Sequence, residues 1–143
     1  MRHRLALIGY RLECLLELAF AKFLVVAVPF KYWSWLCGRS HCESLKTSIG
    51  KDKHRIISTQ RAIRWAERYL PWKSVCLDKA VTAQRMLFRR GLPTTIYFGM
   101  RKDEKQQWKA HAWVRCQNEW VVGFSEEECF TVVGTYAKFC PAP

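Results

Sequence analysis

Two residues of this chain are of the types needed for acyl transfer, and each is expected on an element that would hold it in place. Cys76 follows Ser74, which reads as the N-cap of a helix over Val75–Arg90. That cap puts Cys76 at the second helical position, where unpaired backbone N–H groups and the helix dipole stabilise a thiolate. A small buried hydrophobe is the ordinary alternative for a free cysteine. His111 lies in the strand-like run AHAWV, with Ala112 and Val114 on one face and His111 and Trp113 on the other. The remaining histidines are placed less well: His3 and His41 are in terminal or polar sequence, and His54 is in a charge-rich connection. A helix-borne thiol and a strand-borne imidazole make a reasonable pair, because the two elements can pack face to face.

Other chemistries find little support. The cysteines (Cys14, Cys37, Cys42, Cys76, Cys116, Cys129 and Cys140) are odd in number and contain no C-x-x-C spacing, so no metal site is expected. Without a convincing signal peptide, reduced thiols in the cytoplasm are the simpler assignment. A Gly-rich phosphate loop is absent, so no cofactor is expected. The net charge of +12 favours an acidic partner. The basic residues are scattered and form no zinc finger, RNP motif or basic zipper, which argues against nucleic acid.

The elements that must position the pair can be read from periodicity. With 143 residues, half of them hydrophobic, one compact core is expected. Residues 4–28 read as a helix whose apolar side carries Leu5, Ile8, Leu12, Leu15, Leu16, Ala19, Phe23 and Val26, ended by Pro29. The apolar run Leu18–Phe30 contains Lys22 and falls short of the roughly 20 residues of a spanning helix. Contact with a partner or with the inner membrane surface is the expectation, without spanning. Arg39–Lys53 reads as an exposed connection, and a helix over Thr59–Leu70 is expected behind a Ser58 cap. Gly91 should cap the Val75–Arg90 helix, with its Arg89-Arg90 pair simply complementing the helix C-terminus. Strands are expected at Thr94–Met100, Lys109–Cys116, Glu119–Phe124 and Phe130–Val133. Helices first and then a small antiparallel sheet describe an α+β domain, with residues 1–57 a helical and connecting region and 58–143 the catalytic region.

The segments PWKSVCLDKAVTAQRMLFRRGLPTTIYFGMRKD and AHAWVRCQNEWVVG closely resemble lasso-peptide biosynthesis protein B2. The carrying features are Cys76-Leu77, Leu87-x-x-x-Gly91-x-Pro93, Gly99 before a polar loop, and His111-Ala112-Trp113. The resemblance implies a transglutaminase-like, papain-like cysteine peptidase core that removes the leader from a ribosomally made precursor. It implies Cys76 as nucleophile and His111 as base, and the position of Cys76 at the helix start makes its backbone N–H a candidate oxyanion donor. It also implies a separate B1 leader-recognition protein as partner, with the core peptide passing to an ATP-dependent macrolactam synthetase. The family's third triad residue, an aspartate, usually lies twelve positions after the histidine, where this chain has Gly123. Glu126 is then the nearest acidic orienter, although it reads equally as a solvated member of the Glu126–Glu128 run. Glu119 and the turn residue Asn118 are poorer candidates, and a backbone carbonyl or a water could serve instead. The competing reading is a non-catalytic, peptide-binding or scaffold protein that keeps the same frame.

Overall fold

The computed structural model describes residues 2–47, 50–126 and 128–138. Helix α1 (Arg2–Ala27) leads through Pro29 into the short α2 (Phe30–Trp33) and a 3-10 turn at Ser34–Cys37. Strand β1 (Arg39–Ser40), a 3-10 turn at Gly50–Asp52, α3 (Lys53–Tyr69) and α4 (Cys76–Phe88) follow. The chain then forms β2 (Thr94–Lys102), β3 (Trp108–Cys116), β4 (Glu119–Val122) and β5 (Thr131–Lys138). The five strands are antiparallel neighbours in the order β1-β5-β2-β3-β4. This is the α+β arrangement expected, with the helices preceding the sheet.

One sheet face carries the helix layer. Ile96, Ala112, Val114 and Cys116 share a buried core with Ala80, Val81, Ala83, Met86 and Leu87 of α4 and with Ile63 and Ala66 of α3. The small residues Ala80 and Ala83 let α4 lie close between its neighbours, and that helix is buried on most sides. It ends at Phe88, two residues before the expected Arg90, and the turn beyond is closed as expected at Gly91, which takes φ +77°, with Leu92 N–H returning to Leu87 O at 3.2 Å.

Several local expectations are corrected. Helix α3 begins at Lys53 rather than behind Ser58, because Ile56 is buried and extends the apolar face by a turn, while Lys51, Lys53 and His54 stay on the wet side. The Arg39–Lys53 connection is only partly exposed. Residues Arg39 and Ser40 pair with β5, and Ser44 is buried with its N–H on Thr95 Oγ1 at 2.8 Å. Strand β5 runs on to Lys138, well past Val133.

Helix α1 turns to the core a side other than the one its periodicity marks. Its buried residues are Cys14, Leu18, Ala21 and Leu24, whereas Leu5, Ile8, Leu12, Leu16, Phe23 and Val26 are exposed. Helical periodicity marked an apolar side, and the core uses the opposite one. Ion pairs fix the orientation. Glu17 binds Arg85 at 2.6 Å and Arg89 at 2.7 Å, and Glu13 binds Arg89 at 2.6 Å and also Arg90. The Arg89-Arg90 pair therefore fastens α4 to α1 instead of merely facing its own helix end.

Burial alone would raise the Glu13 carboxyl, but hydrogen bonds from Arg90 and Arg89 outweigh it and hold the group below its ordinary 4.5. A depressed carboxylate contributes stability that is present above its unfolded value and is lost as pH falls through the folded one. Glu13→Gln is therefore expected to cost roughly 1–2 kcal/mol at pH 7. The gap from wild type should narrow as the pH drops below about 4.5, as read by urea midpoints at each pH.

Candidate active site

The site is built on strict alternation along β3, whose pairing with β2 runs without a break from Thr94↔Cys116 to Lys102↔Trp108. Because Ala112 and Val114 face the helices, His111 and Trp113 face the other way. There the imidazole stacks on Phe130 (centroids 5.0 Å, 23°) and beside Trp113 (6.0 Å, 25°). Opposite His111 in register is Gly99, where a Cβ would come within 2.6 Å of the Trp113 ring and 2.8 Å of the Phe130 Cβ. Glycine is needed at that position for the two aromatic side chains to close beside the histidine.

His111 Nε2 lies 2.6 Å from the carbonyl oxygen of Gly123. A carbonyl only accepts, so Nε2 carries the proton and donates it. The neutral ring then has its lone pair on Nδ1, the atom that would accept a thiol proton. An orienting acceptor is thus present twelve residues after the histidine, supplied by backbone rather than by a carboxylate. Gly123 holds φ +80°, and a Cβ there would meet Ala112 O at 2.5 Å. Its carbonyl can take this position because no side chain intervenes.

A cavity of about 190 Å³ opens beside the imidazole, lined by His111, Trp113, Phe124, Phe130, Glu126 and Cys129 among others. Glu126 borders it, but no hydrogen bond joins it to the imidazole among the described residues. Asn118 and Glu119 are exposed at the β3–β4 turn, away from His111. Glu127 and Cys140 lie outside the described residues.

Cys76 opens α4 as its first helical residue, one position earlier in the helix than a Ser74 cap would place it. The cap position falls to Val75, which has no side-chain acceptor, and the start is secured by Asp78 instead. The Asp78 carboxylate is fully buried, accepts the Val75 N–H at 3.1 Å and lies 3.7 Å from Lys22 Nζ. The Cys76 N–H is among those without an intrahelical acceptor. From Cys76 to Phe88 the helix rises about 18 Å. Strand β2, running back after Gly91, covers about 17 Å between Thr94 and Gly99.

The structure joins His111 to Gly123 and brings Glu126 to their cavity, but Cys76 does not line that cavity. The link between the two halves is Gly123, which borders the imidazole cavity and also a helix-side cavity shared with Lys79, one turn after Cys76. Among the described residues no hydrogen bond joins Cys76 to His111. Of the other thiols, burial pushes Cys14 and Cys37 up to about 12, which makes them inert as nucleophiles. Cys129 is exposed and lines the imidazole cavity.

Sequence reasoning missed Asp78, Phe130 and the buried Arg115. The spacing of Asp78 three residues after the cap was an available signal. The Arg115 guanidinium donates to Tyr97 Oη at 2.9 Å, Ser44 O at 2.9 Å and Gln117 O at 2.5 Å, fixing the sheet face next to Trp113. No sequence pattern marks it.

A helix whose first residue is cysteine, packed on an antiparallel sheet whose second long strand carries a backbone-oriented histidine, defines an α+β frame of the papain-like type. Residues 23–135 match the model of the transglutaminase-like superfamily, and the chain belongs to that superfamily. It is compatible with cysteine hydrolase and transferase chemistry. Comparison with curated proteins and with solved structures gives no significant match.

Gly123 is predicted to be irreplaceable. Gly123→Ala and Gly123→Asp are expected to cost at least roughly 1–3 kcal/mol in strain at positive φ, so aspartate here does not rebuild a carboxylate triad. Thermal unfolding checks the cost. Ring ¹⁵N shifts of wild-type His111 should show a proton on Nε2 in the neutral form.

Proposed function

We propose that the protein is a cysteine-type leader peptidase acting on a lasso-peptide precursor, with Cys76 as nucleophile and His111 as base. The observation that carries this reading is the His111 Nε2–Gly123 O hydrogen bond of 2.6 Å, which leaves Nδ1 to act as the base, in a fold whose central helix starts at Cys76. Transglutaminase-like membership and the B2-like motifs around both residues support it.

In the reaction, Nδ1 takes the Cys76 thiol proton as sulfur attacks the carbonyl at the leader–core junction. The C–N bond breaks, the imidazolium gives its proton to the departing core amine, and the leader remains as a thioester. The imidazole then deprotonates a water that attacks this thioester, freeing the leader carboxylate and restoring the thiol. The Cys76 N–H donates to the oxyanion in both halves. Thiol and imidazole must close together for this, and such contacts commonly tighten only with substrate bound. A separate B1 protein presents the leader in extended form, and the freed core passes to an ATP-dependent macrolactam synthetase. These partners place the protein in the cytoplasm.

One observation favours a second reading: Cys129, and not Cys76, shares the cavity of the imidazole. Either Cys129 is the nucleophile, or the frame binds peptide without cleaving it. Single-turnover cleavage of precursor with saturating B1 protein, followed by mass, separates the three. Cys76→Ala and His111→Ala are expected to lose at least about 10³-fold, Cys129→Ala less than about threefold, and Glu126→Gln a partial amount at most. A null Cys129→Ala beside an active Cys76→Ala moves the nucleophile. No cleavage by the folded wild type leaves the binding reading.

A further inference from the structure

Helix α1 is apolar on two opposite sides, and only one of them is used by the core. Leu5, Ile8, Leu12, Leu16, Phe23 and Val26 recur along the outer side and are 51–72% exposed. Over that span the stripe is about 32 Å long. The helix's two acids, Glu13 and Glu17, are turned onto Arg85, Arg89 and Arg90, so the outer stripe carries no carboxylate. No helix among the described residues is long and apolar enough to cross a membrane.

The surroundings of the stripe select its occupant. On one side, Arg4 and Arg11 are exposed and lead to a groove of about 540 Å³ between α1 and α3. That groove is lined by Leu7, Tyr10, Arg11, His54 and Arg61, with no acidic residue. On the other side Arg85 and Arg89 are already paired with Glu17 and Glu13, so the exposed basic flank is that of Arg4, Arg11 and Arg61. An apolar stripe flanked by cations on a helix too polar to span is the pattern of a helix lying in a membrane interface. A second copy is a poor occupant, because it would bring two chains of net charge +12 together with the same arginines facing.

We infer that α1 docks the protein on an anionic lipid surface, its outer stripe entering the headgroup–acyl boundary and the Arg11–Arg61 groove receiving lipid phosphates. The inference does not rest on the peptidase reading, since it uses neither Cys76 nor His111.

The test is co-sedimentation of the full chain with phosphatidylcholine vesicles, with and without 30% phosphatidylglycerol (on the order of a cell membrane's anionic fraction), at low and high salt. The expected result is partitioning onto the anionic vesicles about tenfold above the neutral ones, weakening with salt. Leu12→Glu/Leu16→Glu should lower it at least about tenfold, with helicity by circular dichroism unchanged. Arg11→Glu/Arg61→Glu, which leaves the stripe intact, should abolish the preference for anionic vesicles and keeps the test open if the first variant misfolds. Wild-type binding no stronger to anionic than to neutral vesicles overturns the inference, as does undiminished binding by either folded variant. A wild-type dimer that Leu12→Glu/Leu16→Glu converts to monomer, without vesicle binding, would assign the stripe to a second copy and also overturn it.

Discussion

The period of two along β3 is the constraint from which the arrangement of the site follows. Ala112 and Val114 are small and apolar enough to lie against α4, and both are buried there. Their burial forces His111 and Trp113 to the opposite face, since a one-residue slip would expose the core set and bury the imidazole. Once on that face, the histidine has no helix to pack on. It is held by Phe130, Trp113 and the Gly123 carbonyl, each delivered by a different part of the chain. Strand β4 pairs with β3 only as far as Val114↔Val122. The β3 edge beside His111 is therefore free of a ladder partner on that side, and Gly123 stands where the helix side and the outer face meet. Under the proposed chemistry the thiol must reach the imidazole around that edge, past Gly123. It cannot reach it through the helix–sheet interface.

The same interface fixes where α4 begins and ends. Its C-terminal turn is tied to α1 by Arg85, Arg89 and Arg90, and its N-terminal turn by the bond from Val75 N–H to Asp78. Asp78 is in turn close to Lys22 of α1. One helix thus grips both ends of another, through contacts between residues 56 to 77 apart in sequence. The acids that do this leave the outer stripe of α1 without a carboxylate.

The fold class was legible because it rests on local signals: Pro29, Pro71, Gly91 and Pro93 punctuate the helices, and β-rich runs follow. The position of His111 on a strand, paired in face with Trp113, was legible for the same reason. The buried side of α1 was not, because both sides are apolar and periodicity cannot say which one meets α4. The roles of Arg89 and Arg90 were hidden likewise, since an arginine at a helix end is accounted for locally until its partners in another helix are known. Asp78 was passed over beside a better-looking serine. Phe130 was read as the start of a strand, and only the loop geometry turns it back over the histidine. Gly123 was read as a missing aspartate, since one-letter sequence records side chains and the group that matters there is a backbone oxygen.

That substitution has a physical consequence. A carboxylate on Nε2–H both fixes the tautomer and stabilises the imidazolium that forms when the ring takes a proton. A carbonyl fixes the tautomer equally well, but its bond is neutral in the resting state, and charge-assisted bonds are about twice as strong. Among the described residues, Glu126 and Glu128 border the cavity without bonding the ring. Their field reaches the imidazole through solvent rather than through a hydrogen bond, so it is weakened by screening. With the Gly123 carbonyl as its acceptor, the imidazole keeps the fixed orientation and tautomer of a base without an anionic partner in hydrogen-bond contact.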